Sequence, residues 1–319
     1  MKNFLLTAAL AAFVPHVVFA EAAHDYRDKN FDYFVSGDPS KPRASHTEYG
    51  VALMGGGGSV DAAFKFIADR AGHGHIVILR AVSDDSFDPD DGSYGKNFMG
   101  KWGPVASAET ITFHNREASS DPRVLKALHD ADGIFLAGGD QANYVRYWKG
   151  TPVQDALNEH VRANRPIGGS SAGLAILGHY SYTAFDGGSM ESKVALGNPF
   201  DSGVTLEDDL LHIRNLETVI TDTHFSRRAR LGRLITFVAR LKSEKDNNVI
   251  GIGVDEKTAL LVEPGDARQL SAALLRLSES RELREKLGAA ARASAIARHT
   301  WGHNAARVLR AYAEWSEER

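Results

Sequence analysis

Gly169-Ser-Ser-Ala-Gly173 sets Ser171 at the centre of a G-x-S-x-G pattern. Small neighbours there allow a sharp strand-to-helix turn that leaves the central hydroxyl exposed above a sheet, the setting of a nucleophilic serine. The N–H of Ala172, in the first turn of the following helix, would point at a substrate oxygen and hold negative charge on it. A flexible strand-to-helix connection has the same composition. The chemistry therefore depends on whether a base, an acid and a second oxyanion donor occur elsewhere.

Each has a candidate. His224, within Thr221-Asp-Thr-His-Phe-Ser-Arg-Arg-Ala-Arg-Leu-Gly-Arg233, stands just beyond a strand pattern, where a neutral imidazole can take the serine proton. Arg228, Arg230 and Arg233 follow within about two helical turns, and such a cluster either fixes a carboxylate or forms a solvated basic face. Gly251-Ile-Gly-Val-Asp-Glu256 offers Asp255 or Glu256 to orient the imidazole; adjacent side chains on a strand point to opposite faces, which does not decide between them. In Phe135-Leu-Ala-Gly-Gly-Asp-Gln-Ala-Asn143, Gly138 and Gly139 can bring backbone donors to a bound carbonyl and Gln141 can hydrogen-bond substrate, while Asp140 can cap a helix. The run Gly55 to Gly58 lacks the Lys-Ser/Thr of a phosphate loop and has Val60 where the dinucleotide fingerprint needs a small residue, so it reads as a tight turn.

The elements that must position these residues alternate. Short apolar strands are expected at 51–54, 75–81, 110–113, 133–136, 166–168, 218–221, 249–254 and 259–262, separated by helical patterns such as the one through Ala63, Phe66 and Ile67. That order predicts an α/β fold, a three-layer αβα sandwich with a mainly parallel sheet. In such sheets active residues gather at the carboxyl ends of strands.

Composition narrows the chemistry. The chain has 319 residues, a net charge of −4 and no cysteine. Thiol catalysis, thiolate metal sites and disulfides are excluded, and no electrostatic case for nucleic acid exists. Lys2, the apolar run from Phe4 to Phe19 and the small residue Ala20 read as a secretory signal over residues 1–20. The run is shorter than the roughly 20 apolar residues of a spanning helix and is interrupted by Pro15, so the mature protein is expected to be exported, secreted or periplasmic, and not membrane-bound. Residues 21–46 read as an irregular lead-in, 47–263 as the catalytic domain and 264–319 as a helical tail.

Taken in order, Met54-Gly-Gly-Gly57, Phe135 to Gln141, Gly168 to Gly173, Asp222-Thr-His-Phe225 with its arginines, and Gly251 to Glu256 resemble cyanophycinases and their relatives in peptidase family S51 over residues 31–263. The resemblance implies a class I glutamine amidotransferase-like (flavodoxin-like) fold, with Ser171 as nucleophile, His224 as base and Glu256 as orienting acid. It also implies that Gln141, Asp222, Arg228, Arg230 and Arg233 line a pocket for a β-linked aspartyl residue. The implied reaction is hydrolysis of cyanophycin, a poly-aspartate with arginine side groups, to β-Asp-Arg dipeptides, without metal or organic cofactor, and with a homodimer as the family's assembly. Thr223 stands where cyanophycinases carry glutamine, which points to another aspartyl peptide as an alternative substrate.

Beyond Val262-Glu-Pro-Gly-Asp266 the sequence departs from that family. Its Leu270, Leu274, Leu277, Leu283 and Leu287 fall at helical spacing, and the tail is similar to the terminal helices of GT4-type GT-B glycosyltransferases. No transferase residue is carried over from that likeness. The altered end makes an inactive relative the second reading and sugar transfer a distant third.

Overall fold

A computed structural model of the chain describes residues 25–82, 93–185, 188–263 and 282. The signal segment 1–20 and the helical tail, Glu282 apart, lie outside the described residues. In chain order the strands are β1 (Tyr26–Arg27), β2 (Phe31–Gly37), β3 (Val51–Met54), β4 (His75–Ala81), β5 (Ser107–Phe113), β6 (Gly133–Leu136), β7 (Ile167–Ser170), β8 (Tyr180–Tyr182), β9 (Leu206–Asp208), β10 (Val219–Asp222), β11 (Ile250–Gly253) and β12 (Ala259–Val262). The helices are α1 (Asp61–Arg70), α2 (Ser93–Met99), α3 (Pro122–Asp130), α4 (Gln141–Trp148), α5 (Pro152–Arg162), α6 (Ala172–Ala175), α7 (Ser192–Gly197) and α8 (Leu231–Glu244).

Strands buried on both faces need apolar residues without alternation, and β3 and β4 have them. Val51, Leu53, Val77 and Leu79 point into one core, shared with Trp148 of α4, Leu157 of α5 and Leu174 of α6. Ala52, Met54, Ile76 and Ile78 point into the other, shared with Phe64 and Ile67 of α1 and Phe98 of α2. Helices thus cover both faces of the sheet, giving the three layers of an α/β sandwich. Asp121 caps α3 by accepting the Arg123 N–H at 2.8 Å, with Pro122 at the first helical position.

The main sheet runs β1-β2-β5-β4-β6-β7-β3-β12 and is parallel from β5 to β3. Residues 31–37, expected as irregular lead-in, instead form β2, antiparallel to β5 along its whole length. Its polar look misleads because its polar groups are paired in place: the Tyr33 hydroxyl donates to buried Glu109 and Asp32 meets His114 at 3.5 Å. The segments near 218–221 and 249–254 also differ from the single-sheet expectation. They form β10 and β11 of a second sheet, ordered β11-β10-β8-β9. The reason is steric: β12 turns back antiparallel on β3 and occupies the edge of the main sheet. The second sheet packs on α8, where the Tyr182 and Phe237 rings stack 4.7 Å apart.

Register brings the working ends together. Ser170 is opposite Met54 on one side, and Gly169 is opposite Leu136 on the other. The turn after β7 therefore emerges between the glycine run and the Gly138 loop. In the second sheet Asp222 is opposite Gly253, so the segments carrying His224 and Glu256 leave β10 and β11 at the same level.

Candidate active site

Backbone hydrogen bonds sew these ends into one unit. The N–H of Ser171 donates to the Met54 carbonyl at 3.1 Å, that of His224 to Gly55 at 2.9 Å, and that of Lys257 to Gly56 at 2.9 Å. Among the non-glycine residues here that take left-handed backbone angles are Ser171 with φ of 53° and His224 with φ of 48°. Such conformations cost about 1–3 kcal/mol each and persist where surrounding structure imposes them. They turn both side chains toward each other.

Ser171 Oγ lies 2.7 Å from His224 Nε2, and His224 Nδ1 lies 2.8 Å from Glu256 Oε1. Glu256, rather than Asp255, meets the imidazole. Asp255 instead accepts the N–H groups of Ser226 at 3.0 Å and Glu256 at 3.1 Å. Burial pushes its carboxyl up, but these hydrogen bonds outweigh burial and hold it below the ordinary range. The turn carrying Glu256 is thereby fixed.

Ser171 and His224 open onto a cavity of about 360 Å³ that Gly56, Gly57, Gly138 and Ser170 also line. Ala172 opens α6, so its N–H is a first-turn donor without an intrahelical acceptor. Gly138 borders Ser171: a Cβ there would lie 3.7 Å from the serine Cβ. Gly139 is not among the residues lining the cavity; it packs on the end of β4, where a Cβ would lie 2.5 Å from the Ala81 carbonyl. Asp140 caps α4 by accepting the Ala142 N–H at 2.9 Å.

The glycine run, read from sequence as a tight turn, backs the imidazole. At Gly56, with φ of +92°, a Cβ would lie 2.6 Å from His224 Cε1 and 3.0 Å from Ser171 Cβ; at Gly57 one would lie 2.6 Å from Glu256 Cδ. Replacing Gly56 with alanine is expected to displace the imidazole and lower kcat by about a hundredfold or more, since misplacement of roughly 1 Å has that effect. Steady-state kinetics of a variant with unchanged circular dichroism checks this.

Burial first, and then the positive charges of Arg228 and Arg230, hold His224 below the ordinary imidazole range, against the raising effect of its Glu256 hydrogen bond. The ring is consequently neutral at pH 7, as a base must be. Removing a neighbouring positive charge makes protonation easier. Arg228→Gln is therefore expected to shift the acid limb of the kcat/KM profile to higher pH, a shift read directly from the pH–rate curve.

The residues read as a substrate pocket separate into two groups. Asp222 and Arg233, only 2% and 1% exposed, form a buried bidentate pair with distances of 2.5 and 2.7 Å. That corrects their placement as substrate contacts: a carboxylate of the chain itself already occupies the Arg233 fork. Arg230, buried at 6% exposure, donates to the Thr223 carbonyl at 2.8 Å and hydroxyl at 2.9 Å and to Ser189 Oγ at 2.9 Å. Burial, and then the Arg233 charge, bring it down to about 10. Arg228 is exposed beside His224. Gln141 donates from Nε2 to the Tyr182 carbonyl at 3.2 Å, linking α4 to the second sheet. None of these five side chains is among the residues lining the cavity.

Sequence reasoning missed the other cavity wall, formed by Phe64, Tyr94, Asn97 and Trp102. It also missed Arg227, whose Nε lies 3.4 Å from Glu256 Oε1. Among the described residues no cluster of three or more His, Asp or Glu is arranged to hold a metal ion, and no helix is long and apolar enough to cross a membrane.

The chain is 33% identical over 156 residues to cyanophycinase of Trichormus variabilis, which covers 49% of this chain and 47% of that protein. It is 28% identical over 235 residues to cyanophycinase of Synechococcus elongatus, covering 71% and 67%. It spans about half the length of the first of these curated relatives. Among solved structures, a peptidase from an acI-B1 Actinobacterium superposes with a TM-score of 0.47 at 17% identity, over 70% of this chain and 86% of that one. A family model described as peptidase family S51 matches residues 89–270. This stretch is more than half of the chain and holds Ser171, His224 and Glu256, and the chain belongs to peptidase family S51.

Proposed function

We propose that this protein is an exported serine hydrolase of aspartyl peptide bonds, with cyanophycin as substrate and β-Asp-Arg dipeptides as product. The observation that carries the reading is the hydrogen-bonded chain Ser171–His224–Glu256 opening on a cavity, at 2.7 and 2.8 Å. Ser171 Oγ attacks the amide carbonyl that follows an aspartyl unit. His224 takes the serine proton and returns it to the leaving amine, while Glu256 fixes the tautomer and stabilises the transient imidazolium. The N–H of Ala172 and the Gly138 loop hold the oxyanion. Water then enters, His224 deprotonates it, and the acyl-enzyme is hydrolysed. Arg228, exposed beside His224, remains as the group to draw in a substrate carboxylate.

Similarity to cyanophycinases supports the polymer as substrate. Thr223, standing where cyanophycinases carry glutamine, gives a second reading, an aspartyl dipeptidase of the same family; its hydroxyl accepts from Arg230 at 2.9 Å. Purified protein lacking residues 1–20 is incubated with cyanophycin and, separately, with aspartyl dipeptides. Release of β-Asp-Arg supports the first reading, and cleavage of dipeptides alone supports the second. Folded protein silent on both would contradict the two together. Export is tested by expressing the full chain: a shorter mature species outside the cytoplasm is expected, and an unprocessed cytoplasmic one would refute it.

A further inference from the structure

The cavity beside Ser171 has an aromatic wall that the hydrolytic chemistry does not use. Phe64 stacks on Trp102 with centroids 3.7 Å apart and planes 9° from parallel, and the Tyr94 ring sits 6.0 Å from Phe64 and 6.1 Å from Trp102. Phe64 and Trp102 are nearly buried, whereas Tyr94 is partly exposed to the cavity. Asn97 and Ser59 line the same space and supply oxygen acceptors.

The charges are unevenly placed. Arg227, Arg228 and Arg230 all follow His224 and are absent from the cavity lining, where His224 is the one basic side chain among the described residues. A cationic group on the substrate is repelled by those arginines and meets π-faces and neutral acceptors in the cavity. The aromatic cluster already holds one cation elsewhere. The Lys101 ammonium lies 5.0 Å above the Trp102 ring and is fixed by Asp61 at 3.1 Å, while the indole N–H donates to the same Asp61 at 2.6 Å. Planar cations are favoured over such rings.

We propose that the wall formed by Phe64, Tyr94 and Trp102 is a specificity subsite for a guanidinium side group attached to the aspartyl unit at the scissile amide, with Tyr94 as its contact face. This inference rests on the reading of the protein as an aspartyl peptidase. The substrate is then held by charge of opposite sign at its two ends: carboxylate toward Arg228, guanidinium toward the rings.

The test uses the mature protein and soluble substrates made of two α-linked β-Asp-Arg units, with the arginines replaced by citrulline, which is planar and neutral, or by norleucine. Wild type is expected to prefer arginine over citrulline in kcat/KM by roughly threefold to thirtyfold, carried by KM, the range a cation over an aromatic face gives. Tyr94→Leu should lose that ratio and Tyr94→Phe should keep it. Cleavage of all three substrates with equal kcat/KM by wild type overturns the subsite and leaves the aspartyl peptidase reading standing. Cleavage of none overturns both. The wild-type ratio decides even if Tyr94→Leu does not fold.

Discussion

Replacing Ser171 with alanine is expected to lower kcat by at least about 10⁴-fold while leaving the melting temperature within about 2 °C of wild type. The loss is large because the three side chains act as a unit: without the nucleophile, a base 2.7 Å away has no proton to take. Stability is spared because the Ser171 hydroxyl meets His224 at a cavity wall, while the backbone contact of Ser171 with Met54 is kept. The comparison is steady-state cleavage of cyanophycin beside a thermal melt. A folded variant that retains more than about one per cent of activity would remove Ser171 from the mechanism.

Asp222→Ala is expected to have the largest effect on stability. The carboxylate is the partner of Arg233, which is 1% exposed, and also lies 3.4 Å from Arg230. Its removal leaves two buried guanidinium groups without a counter-charge, and breaking a buried pair in this way costs about 3–5 kcal/mol. For a domain of this size that corresponds to a fall in melting temperature of roughly 10 °C or more. Activity should fall with it, because Asp222 ends the strand that leads into His224 and accepts the Thr223 N–H at 2.8 Å. If Asp222 were instead a substrate contact exposed in a pocket, the melting temperature would hardly move and KM alone would rise. Calorimetry with kinetics separates the two outcomes.

Much of the site was legible because its residues sit where strands end. The pattern around Ser171, the histidine after β10 and the acids after β11 all follow short apolar runs, and parallel sheets gather such positions at one edge. The choice between Asp255 and Glu256 was not legible, since β11 ends at Gly253 and alternation lapses in the turn. Only the tertiary contacts show Asp255 serving the backbone of Ser226 and Glu256 serving His224. The arginine cluster misled for a related reason. A buried Asp–Arg pair eleven residues apart, Asp222 with Arg233, looks in sequence like part of a cluster that fixes a substrate carboxylate. β2 was hidden by Asp32, whose carboxyl meets His114 on a neighbouring strand end. The aromatic cavity wall could not be seen at all. Phe64 lies on α1 and Tyr94 on α2, with β4 between them in the chain.

The central claim, that Ser171 is a nucleophile activated by His224, is tested most directly by covalent labelling with a fluorophosphonate and intact-mass analysis followed by peptide mapping. The account predicts one adduct per chain, located on Ser171 and not on the neighbouring Ser170, and lost in Ser171→Ala and in a folded His224→Ala variant. A folded wild-type protein that takes up no label, or takes it up on Ser170 or any other side chain, would contradict it.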